Sequence, residues 1–374
     1  MELAKTAVWA AIFLFVGVAA SAAEQGWLSD QHVVVTPPQA RIRDDAQQPV
    51  DTVHAGTVLD VLAIEGERVR VNRGWLQAQD VIPYHQAIEH FTKEIDRQPS
   101  AIAYAARARV WCYHGEYDKA LADCNEALKI DPESAIAYSR RGRAWAGKGE
   151  LETAVADFDE ALRLDPEDAH AYTHRARARN ELGEYEQAVK DCNEALKLDP
   201  KSNVAYYYRG RAWALRGDID QAIADFSRSL ALNPRYVPAH NSRANEYYLQ
   251  RKFKEAIADY DEAIRLNPQF DMVHIHYNRG NAYFHMGDYE QAVADYRESL
   301  EHNARYLPAI EALAQCYARL GDFAAAAQWQ AKALAAAPSG NAQAVMQARL
   351  NRYQAGQRSG QNGAAQTATS ASSR

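Results

Sequence analysis

Cysteine is scarce in this sequence, with four residues among 374, and none of them forms the CxxC spacing of a zinc site. We expect four unpaired thiols, most of them buried. The chain also has no basic surplus, because its formal net charge is -7, which disfavours a nucleic-acid partner. No GxSxG segment occurs, and His274 and His276 have no third metal ligand near them. We therefore expect no enzymatic activity, no cofactor, no metal and no small-molecule substrate.

Long apolar runs are also absent, apart from one near the start of the chain. Lys5 precedes an apolar stretch from Ala7 to Ala20, which is followed by the small residues of positions 21–23. This stretch is shorter than the about 20 residues that a helix needs to cross a bilayer. A cleaved signal peptide over residues 1–23 is therefore favoured over a membrane anchor, and it predicts a secreted or periplasmic protein.

The body of the chain repeats itself every 34 residues. Landmark alanines recur at Ala120, Ala154, Ala188, Ala222 and Ala256, and prolines at Pro132, Pro166, Pro200, Pro234 and Pro268. After an insertion of two residues the pattern resumes with Ala292, Ala326 and Pro338. With the alanine at position 20 and the proline at position 32, seven repeats begin at Ala101, Ala135, Ala169, Asn203, Val237, Val273 and Leu307. Such a period predicts a stack of similar units.

Each repeat is predicted to be a pair of antiparallel helices. Small residues at positions 8, 20 and 27 let two helices approach closely, and large residues at positions 4 and 11 fill the space between them. Glycine at position 15 ends the first helix in six repeats, where Arg251 is the exception, and proline at position 32 stops the second helix.

This pattern resembles the tetratricopeptide repeat (TPR) family over residues 101–340. The resemblance implies a mainly α fold, a right-handed superhelical solenoid of antiparallel helix pairs, which acts as a non-catalytic scaffold for protein binding. Residues 83–100 are similar to the second helix of an incomplete repeat, with Ala87 and Phe91 as landmarks. Residues 341–356 are predicted to form a capping helix, and residues 357–374 a disordered tail.

Residues 24–82 have a different character, with the alternating apolar residues of β-strands in Val58–Ala63 and Val69–Val71. The stretch GTVLDVLAIEGERVRVNRGWLQAQDV resembles bacterial SH3-like domains, which are small β-barrels. The resemblance implies a role as an adaptor or in cell-wall binding. The alternative, which we favour, is a barrel that packs on the first repeat with Trp75 in its own core.

Two columns of arginine follow the repeat. Position 7 is arginine in the first six repeats, and position 23 is aspartate in the same six, whereas the seventh repeat has Leu313 and Trp329 at these positions. Because the two columns are lost together, we predict a structural ladder of ion pairs, each worth about 0 to 1 kcal/mol where solvent reaches it.

The column at position 9 is the candidate binding site. It consists of Arg109, Arg143, Arg177 and Arg211, followed by Asn245 and Asn281. The TPR resemblance implies that positions 2, 5, 9, 12 and 13 line a concave groove for a peptide. Four guanidinium groups would favour an acidic segment or a free C-terminal carboxylate. A solvated face with local ion pairs is the alternative.

The predicted function is thus a non-catalytic interaction scaffold of the cell envelope that binds a protein or peptide in the groove. The alternative is a peptidoglycan-binding protein that contacts the cell wall through the SH3-like domain and uses the repeats as a spacer.

Overall fold

The computed structural model describes residues 32–37, 39–61, 63–65, 68–71, 74–267, 270–337 and 341–371. The chain divides into two compact units, Met1–Tyr208 and Arg209–Arg374, which are described separately below. The predicted signal peptide and the landmarks Pro268 and Pro338 lie outside the described residues. Within the described part of the chain, no helix is both long and apolar enough to span a bilayer.

The first unit begins with eight short strands, which we call the β-module (residues 32–83). They are β1 (His32–Val35), β2 (Gln39–Arg43), β3 (Pro49–His54), β4 (Val58–Asp60), β5 (Ala63–Glu65), β6 (Arg68–Val71), β7 (Gly74–Gln77) and β8 (Val81–Pro83). One sheet has the order β4-β1-β8 and the other β3-β2-β7-β6-β5, and all pairs are antiparallel. The stretch Val58–Ala63, predicted as one strand, contributes to both sheets.

Two apolar clusters hold the β-module in place. Its own core is made of alternate strand residues, such as Val33, Ile42 and Leu76. The second cluster joins Val34 and Ala55 of the module to the first helices of the repeat region. Gly56 lies so close to this helical surface that an added Cβ would stand 2.3 Å from the backbone oxygen of Ala106. The module therefore packs on the first repeat, as the sequence indicated.

Helix hairpins follow in the first unit. They are α1 (Ala87–Arg97), α2 (Ala101–Tyr113), α3 (Tyr117–Ile130), α4 (Ala135–Lys148), α5 (Leu151–Leu164), α6 (Ala169–Leu182) and α7 (Tyr185–Leu198). The helix α8 (Asn203–Arg216) contains the boundary between the units. The landmarks Ala87 and Phe91 are fully buried in α1, so this helix packs as a second helix without a first helix of its own. The β-module lies against it instead.

The second unit continues the same architecture. Its helices are α9 (Ile219–Leu232), α10 (Val237–Leu249), α11 (Phe253–Leu266), α12 (Met272–Met286), α13 (Tyr289–His302), α14 (Leu307–Arg319), α15 (Phe323–Ala336) and α16 (Asn341–Ala371). The helix α16 packs on α15 through Leu350 and Tyr353. It extends well past residue 356, where the sequence predicts the capping helix to end. The extension contains no proline to interrupt a helix, although Gly360 and Gly363 are weak helix formers.

Local chemistry explains where these helices begin and end. The side chains of Ser100, Ser134 and Asp168 accept hydrogen bonds from backbone amides of the first turn in α2, α4 and α6. Gly149 ends α4 with a φ of 85°, in the left-handed region that glycine adopts without strain. Arg251, which replaces this glycine in the fifth repeat, has a φ of 60°. The mainly α arrangement of repeated helix pairs is thus confirmed.

Candidate functional site

The arginines at position 7 bind the aspartates at position 23 in six repeats. In each pair Nε and Nη2 of arginine donate to the two carboxylate oxygens at 2.6 to 3.0 Å. The pairs are Arg107–Asp123, Arg141–Asp157, Arg175–Asp191, Arg209–Asp225, Arg243–Asp259 and Arg279–Asp295. The predicted ladder is therefore present, and we call these pairs the ion-pair ladder.

The same arginines also link neighbouring repeats. In the third repeat, Nη1 of Arg175 donates to Asp159 of the second repeat at 2.6 Å. In the fifth, Nη1 of Arg243 donates to Ser227 of the fourth at 3.0 Å. Arg175 and Arg243 thus each fix their own hairpin and the hairpin before it.

Burial makes a ladder pair more costly to disrupt than the sequence suggested. Its aspartates are only 3% to 7% exposed, so they lie out of reach of bulk water. Removing one partner from such a pair leaves a buried charge and costs about 3 to 5 kcal/mol. Since all of the ladder's carboxylates are engaged, its arginines are structural and not candidates for ligand binding.

The arginines of the first-helix face behave differently. The first-helix face is the surface formed by positions 2, 5, 6, 9, 12 and 13 of the first helix in each repeat. In the first unit, Arg109 of α2 and Arg143 of α4 are half-buried, and Arg140 of α4 is only 6% exposed. Within the described residues, none of the three has a carboxylate within ion-pair distance, and the buried Nε of Arg140 has no hydrogen-bond partner. We call these three residues the arginine nest.

Electrostatics in the nest are unfavourable in the absence of an anion. Burial first and the charge of Arg143 second lower the pKa of Arg140 to about 10. Burial likewise lowers the pKa of Arg109 well below its usual range, with Arg140 and Arg143 adding to the effect. The pKa of His174 on α6 is also lowered by burial and then by Arg143. Arginine guanidinium groups stay protonated in proteins, so the three arginines of the nest keep their positive charges.

Arg177, the third position 9 arginine of the first unit, lies close enough for its charge to add to burial in lowering the pKa of Arg143, but it has a carboxylate partner. Arg177 on α6 is exposed, and its Nε contacts Glu181 at 3.2 Å. Burial lowers the pKa of Arg177, but Tyr208 and Glu181 outweigh this and raise it overall. Arg211 is half-buried on α8, in the second unit. Within the first unit, the other two position 9 arginines therefore have no carboxylate partner among the described residues, whereas Arg177 has one.

The two predicted asparagines have partners inside the protein. Oδ1 of Asn245 accepts a hydrogen bond from the hydroxyl of Tyr260 at 2.6 Å, and Oδ1 of Asn281 accepts one from Tyr296 at 2.7 Å. Each tyrosine occupies position 24 of the repeat that contains its asparagine, and each is about 1% exposed. These amides consequently satisfy buried hydroxyls, a role that sequence reasoning did not assign to them.

Aromatic residues surround the asparagines in the second unit. The rings of Tyr277 and Tyr306 meet edge to face with centroids 5.3 Å apart, and Phe284 meets Tyr289 in the same way at 5.3 Å. The guanidinium of Arg319 lies over both Phe284 and Tyr289. The first-helix face is thus aromatic and amide-rich in this unit and cationic in the first unit.

Trp75 of the β-module is not available to a ligand. It is 4% exposed, and its indole nitrogen donates to Asp45 at 2.7 Å. The guanidinium groups of Arg68 and Arg70 lie over its ring at 4.7 and 5.3 Å. Trp75 is therefore buried as expected, but the apolar core of the module contains its neighbour Leu76 instead. The SH3-like resemblance remains a prediction.

Sequence reasoning missed Arg140 and His174, which occupy position 6. A signal was present in this column, which otherwise holds Ala106, Tyr208, Ser242, Asn278 and Ala312. Arg140 is the only arginine, lysine, aspartate or glutamate at position 6 in the seven repeats. Column 6 was overlooked because it is not among the positions that the family resemblance assigns to the groove.

Family models agree with the repeat geometry over most of the chain. Models described as tetratricopeptide repeat match residues 84–135, 112–169, 139–203, 173–237, 237–270, 274–306 and 307–339. The chain belongs to the TPR family. The first of these matches includes α1, which supports its assignment as part of a TPR repeat. No curated protein matches the chain.

Solved structures share the TPR fold at low identity. The chain is similar to one in the Cut9–Hcn1 hetero-tetramer of the APC/C, with 19% identity and a TM-score of 0.58. The match covers 72% of this chain and 52% of the other, so the chain spans about half the length of that relative. PilF from Pseudomonas aeruginosa is 21% identical with a TM-score of 0.52, covering 57% of this chain and 97% of PilF. At these identities the similarity shows the fold alone.

Proposed function

We propose that this TPR protein is a non-catalytic scaffold that binds a protein or peptide segment on its first-helix face. TPR proteins mediate protein–protein interactions, and the described residues already account for the ladder charges. The single observation that carries the proposal is the arginine nest, where guanidinium groups lie without carboxylate partners. An acidic partner segment would supply the missing charge.

A place in the cell envelope is the second part of the proposal. It rests on the predicted signal peptide of residues 1–23, whose basic residue, apolar run and small-residue end are typical of export. Edman sequencing of the protein purified from its native source tests this part. A mature N-terminus near Ala23 or Glu24 is expected, and a chain beginning at Met1 would contradict it.

Partner capture tests the binding face. Changing Arg109, Arg143, Arg177 and Arg211 to alanine should weaken capture of partners from solubilised envelope, with little change in helical circular dichroism. The matched control changes the four exposed basic residues at position 29 of the second helices, Lys129, Arg163, Lys197 and Arg265. Both variants lose four positive charges, so a specific effect must appear in the first alone. Equal capture by the two variants would contradict the proposal.

Cell-wall binding through the β-module remains a second prediction. Burial of Trp75 and packing of the module against α1 and α2 support a capping role over it. Retention of residues 24–82 on purified peptidoglycan would reverse that preference.

A further inference from the structure

Arg140 is the most unusual charged residue of the first unit. Only 6% of it is exposed, yet it stands at position 6, where the other repeats place neutral residues or His174. Its Nε is buried and has no hydrogen-bond partner. A polar group in this situation costs about 1 to 3 kcal/mol, and more when it is charged, unless something binds to it.

The repeat geometry shows what position 6 faces. In the second unit, Nδ2 of Asn278 at position 6 donates to Asn245, at position 9 of the preceding repeat, at 3.2 Å. In the first unit, Asn180 at position 12 donates to the backbone oxygen of Tyr208, at position 6 of the following repeat, at 2.9 Å. Position 6 therefore lies between two first helices, next to positions 9 and 12 of the repeat before it.

The same slot in the first two repeats contains like charges. Arg140 occupies position 6, the preceding position 9 is Arg109, and Arg143 follows Arg140 by three residues on the same face of α4. The helices α2 and α4 contact each other directly. Where the second unit has a hydrogen bond between two amides, the first unit has guanidinium groups that repel one another.

Acidic residues are plentiful in this unit, so the lack of an ion-pair partner for the nest among the described residues is informative. Each ladder arginine has a buried aspartate, and Arg175 has a second carboxylate as well. The acid that acts on Arg140 and Arg109 is Asp168, the N-cap of α6, and in the described part of the chain it forms no ion pair with either of them. Burial and the neighbouring arginines outweigh Asp168, so the pKa values of Arg109 and Arg140 are lowered overall.

Apolar side chains lie beside the nest. Ile102 and Ile136, both at position 2, are 49% and 37% exposed. Ile136 precedes Arg140 by four residues and Arg143 by seven, so the three share one face of α4. A ligand for this surface thus needs anionic groups and an aliphatic group close to them.

We propose that the arginine nest binds side-chain carboxylates of an acidic peptide segment whose aliphatic residues contact Ile102 and Ile136. This inference rests on the proposed function and adds the chemistry of the ligand. Three guanidinium groups without a carboxylate favour a segment with at least two Asp or Glu side chains over a single C-terminal carboxylate. Carboxylates also match the forked geometry of the guanidinium donors.

Selection from a random peptide library displayed on phage, with the full-length protein as bait, tests two claims: that the protein binds peptides and that the arginine nest recognises acidic side chains. Enrichment of peptides that combine acidic and aliphatic residues supports the nest. Enrichment of peptides without acidic residues overturns the nest but leaves peptide binding intact. If no peptide is enriched over the position 9 quadruple alanine variant, the proposed function itself fails.

One selected peptide, synthesised with a fluorophore, then provides the quantitative measurement. Replacing its acidic residues with glutamine should weaken binding about ten-fold or more, as expected for hydrogen bonds between charged groups. Amidation of its C-terminus should have little effect. Loss of binding on amidation alone would overturn the side-chain proposal in favour of the terminal carboxylate.

The variant Arg140→Leu separates binding from a structural role. It removes the unpartnered guanidinium, so the melting temperature should stay the same or rise while affinity falls about ten-fold. Arg163→Leu, on the exposed side of α5, is the control and should leave affinity unchanged. Unchanged affinity in Arg140→Leu would overturn the proposal. If that variant does not fold, the peptides in which glutamine replaces the acidic residues test the proposal on the unchanged protein.

Discussion

Single side chains of the ion-pair ladder contribute more to stability than their surface counterparts. We expect Asp157→Asn to lower the free energy of unfolding by about 3 kcal/mol, because Arg141 is left without its buried carboxylate. Denaturant unfolding followed by circular dichroism measures this change. Glu160→Gln is the control, since its pair with Arg163 is exposed to solvent and should contribute little to stability. Similar losses in the two variants would show that burial does not strengthen the ladder.

Protonation of a ladder aspartate gives a prediction for acid pH. Burial alone would raise the pKa of Asp259, but hydrogen bonds from Arg243 and His240 outweigh it and lower the pKa below its ordinary 3.8. A carboxyl with a lowered pKa stabilises the fold above its unfolded pKa, and this contribution is lost as the pH falls through the folded pKa. Stability should therefore fall below about pH 4. The variant Asp259→Asn should be less stable than the unchanged protein at neutral pH, and its stability should fall less steeply as the pH is lowered below about 4. An equally steep fall in both proteins would show that Asp259 is not the group responsible.

The turn at Arg251 is a local defect that glycine should repair. This residue has a φ of 60°, where the equivalent Gly149 and Gly183 have 85° and 83°. A left-handed conformation costs a residue with a side chain about 1 kcal/mol, so Arg251→Gly should raise the unfolding free energy by about that amount. Lys252→Gly, at the next residue with a φ of -83°, should not be stabilising. Loss of stability in Arg251→Gly would indicate that the arginine side chain has a compensating contact.

Within one helix hairpin, positions 9 and 24 vary together. Asn245 and Asn281 face tyrosines at position 24, whereas the arginines at position 9 accompany cysteine or phenylalanine. The buried tyrosine hydroxyl needs an acceptor, which asparagine provides and arginine does not. This pairing explains why the asparagine part of the predicted binding column has a packing role.

An exchange in the fourth repeat tests this pairing. The double variant Arg211→Asn with Phe226→Tyr should form the hydrogen bond seen in the fifth and sixth repeats, with a coupling free energy of about 1 kcal/mol in a double-mutant cycle. Phe226→Tyr alone should be destabilising, because its hydroxyl is buried without an acceptor. Additive effects of the two changes would show that the two positions are independent.

The sequence predicted the hairpins well because their determinants are local. Alanine at position 20, glycine at position 15 and serine caps such as Ser100 act within one repeat and recur from one to the next. The binding face was predicted only in part, since the environment of Arg140 depends on Arg109 in another helix. Periodicity gives the register of a column but not the partner that a neighbouring repeat supplies to it.

Along the chain as a whole, stability should not be distributed evenly over the repeats. The seventh repeat has Leu313 and Trp329 in place of the ladder pair. At position 24 it has Gln330, which is fully buried and has no hydrogen-bond partner for either amide atom among the described residues. In a repeat protein each unit depends on its own stability and on its immediate neighbours, so a weak unit opens independently of distant ones.

Hydrogen exchange at backbone amides tests this distribution. Within the second unit, α14 and α15 should exchange faster than α10 to α13, because the seventh repeat lacks the ladder and contains an unsatisfied amide. Gln330→Met replaces that amide with an apolar side chain of similar length and should slow exchange in α14 and α15 about ten-fold, while Gln328→Met on the exposed side should not. Equal exchange rates in α10 to α15 would mean that the second unit opens as a single cooperative body. In that case each ladder pair would stabilise the whole unit rather than only the hairpin that contains it.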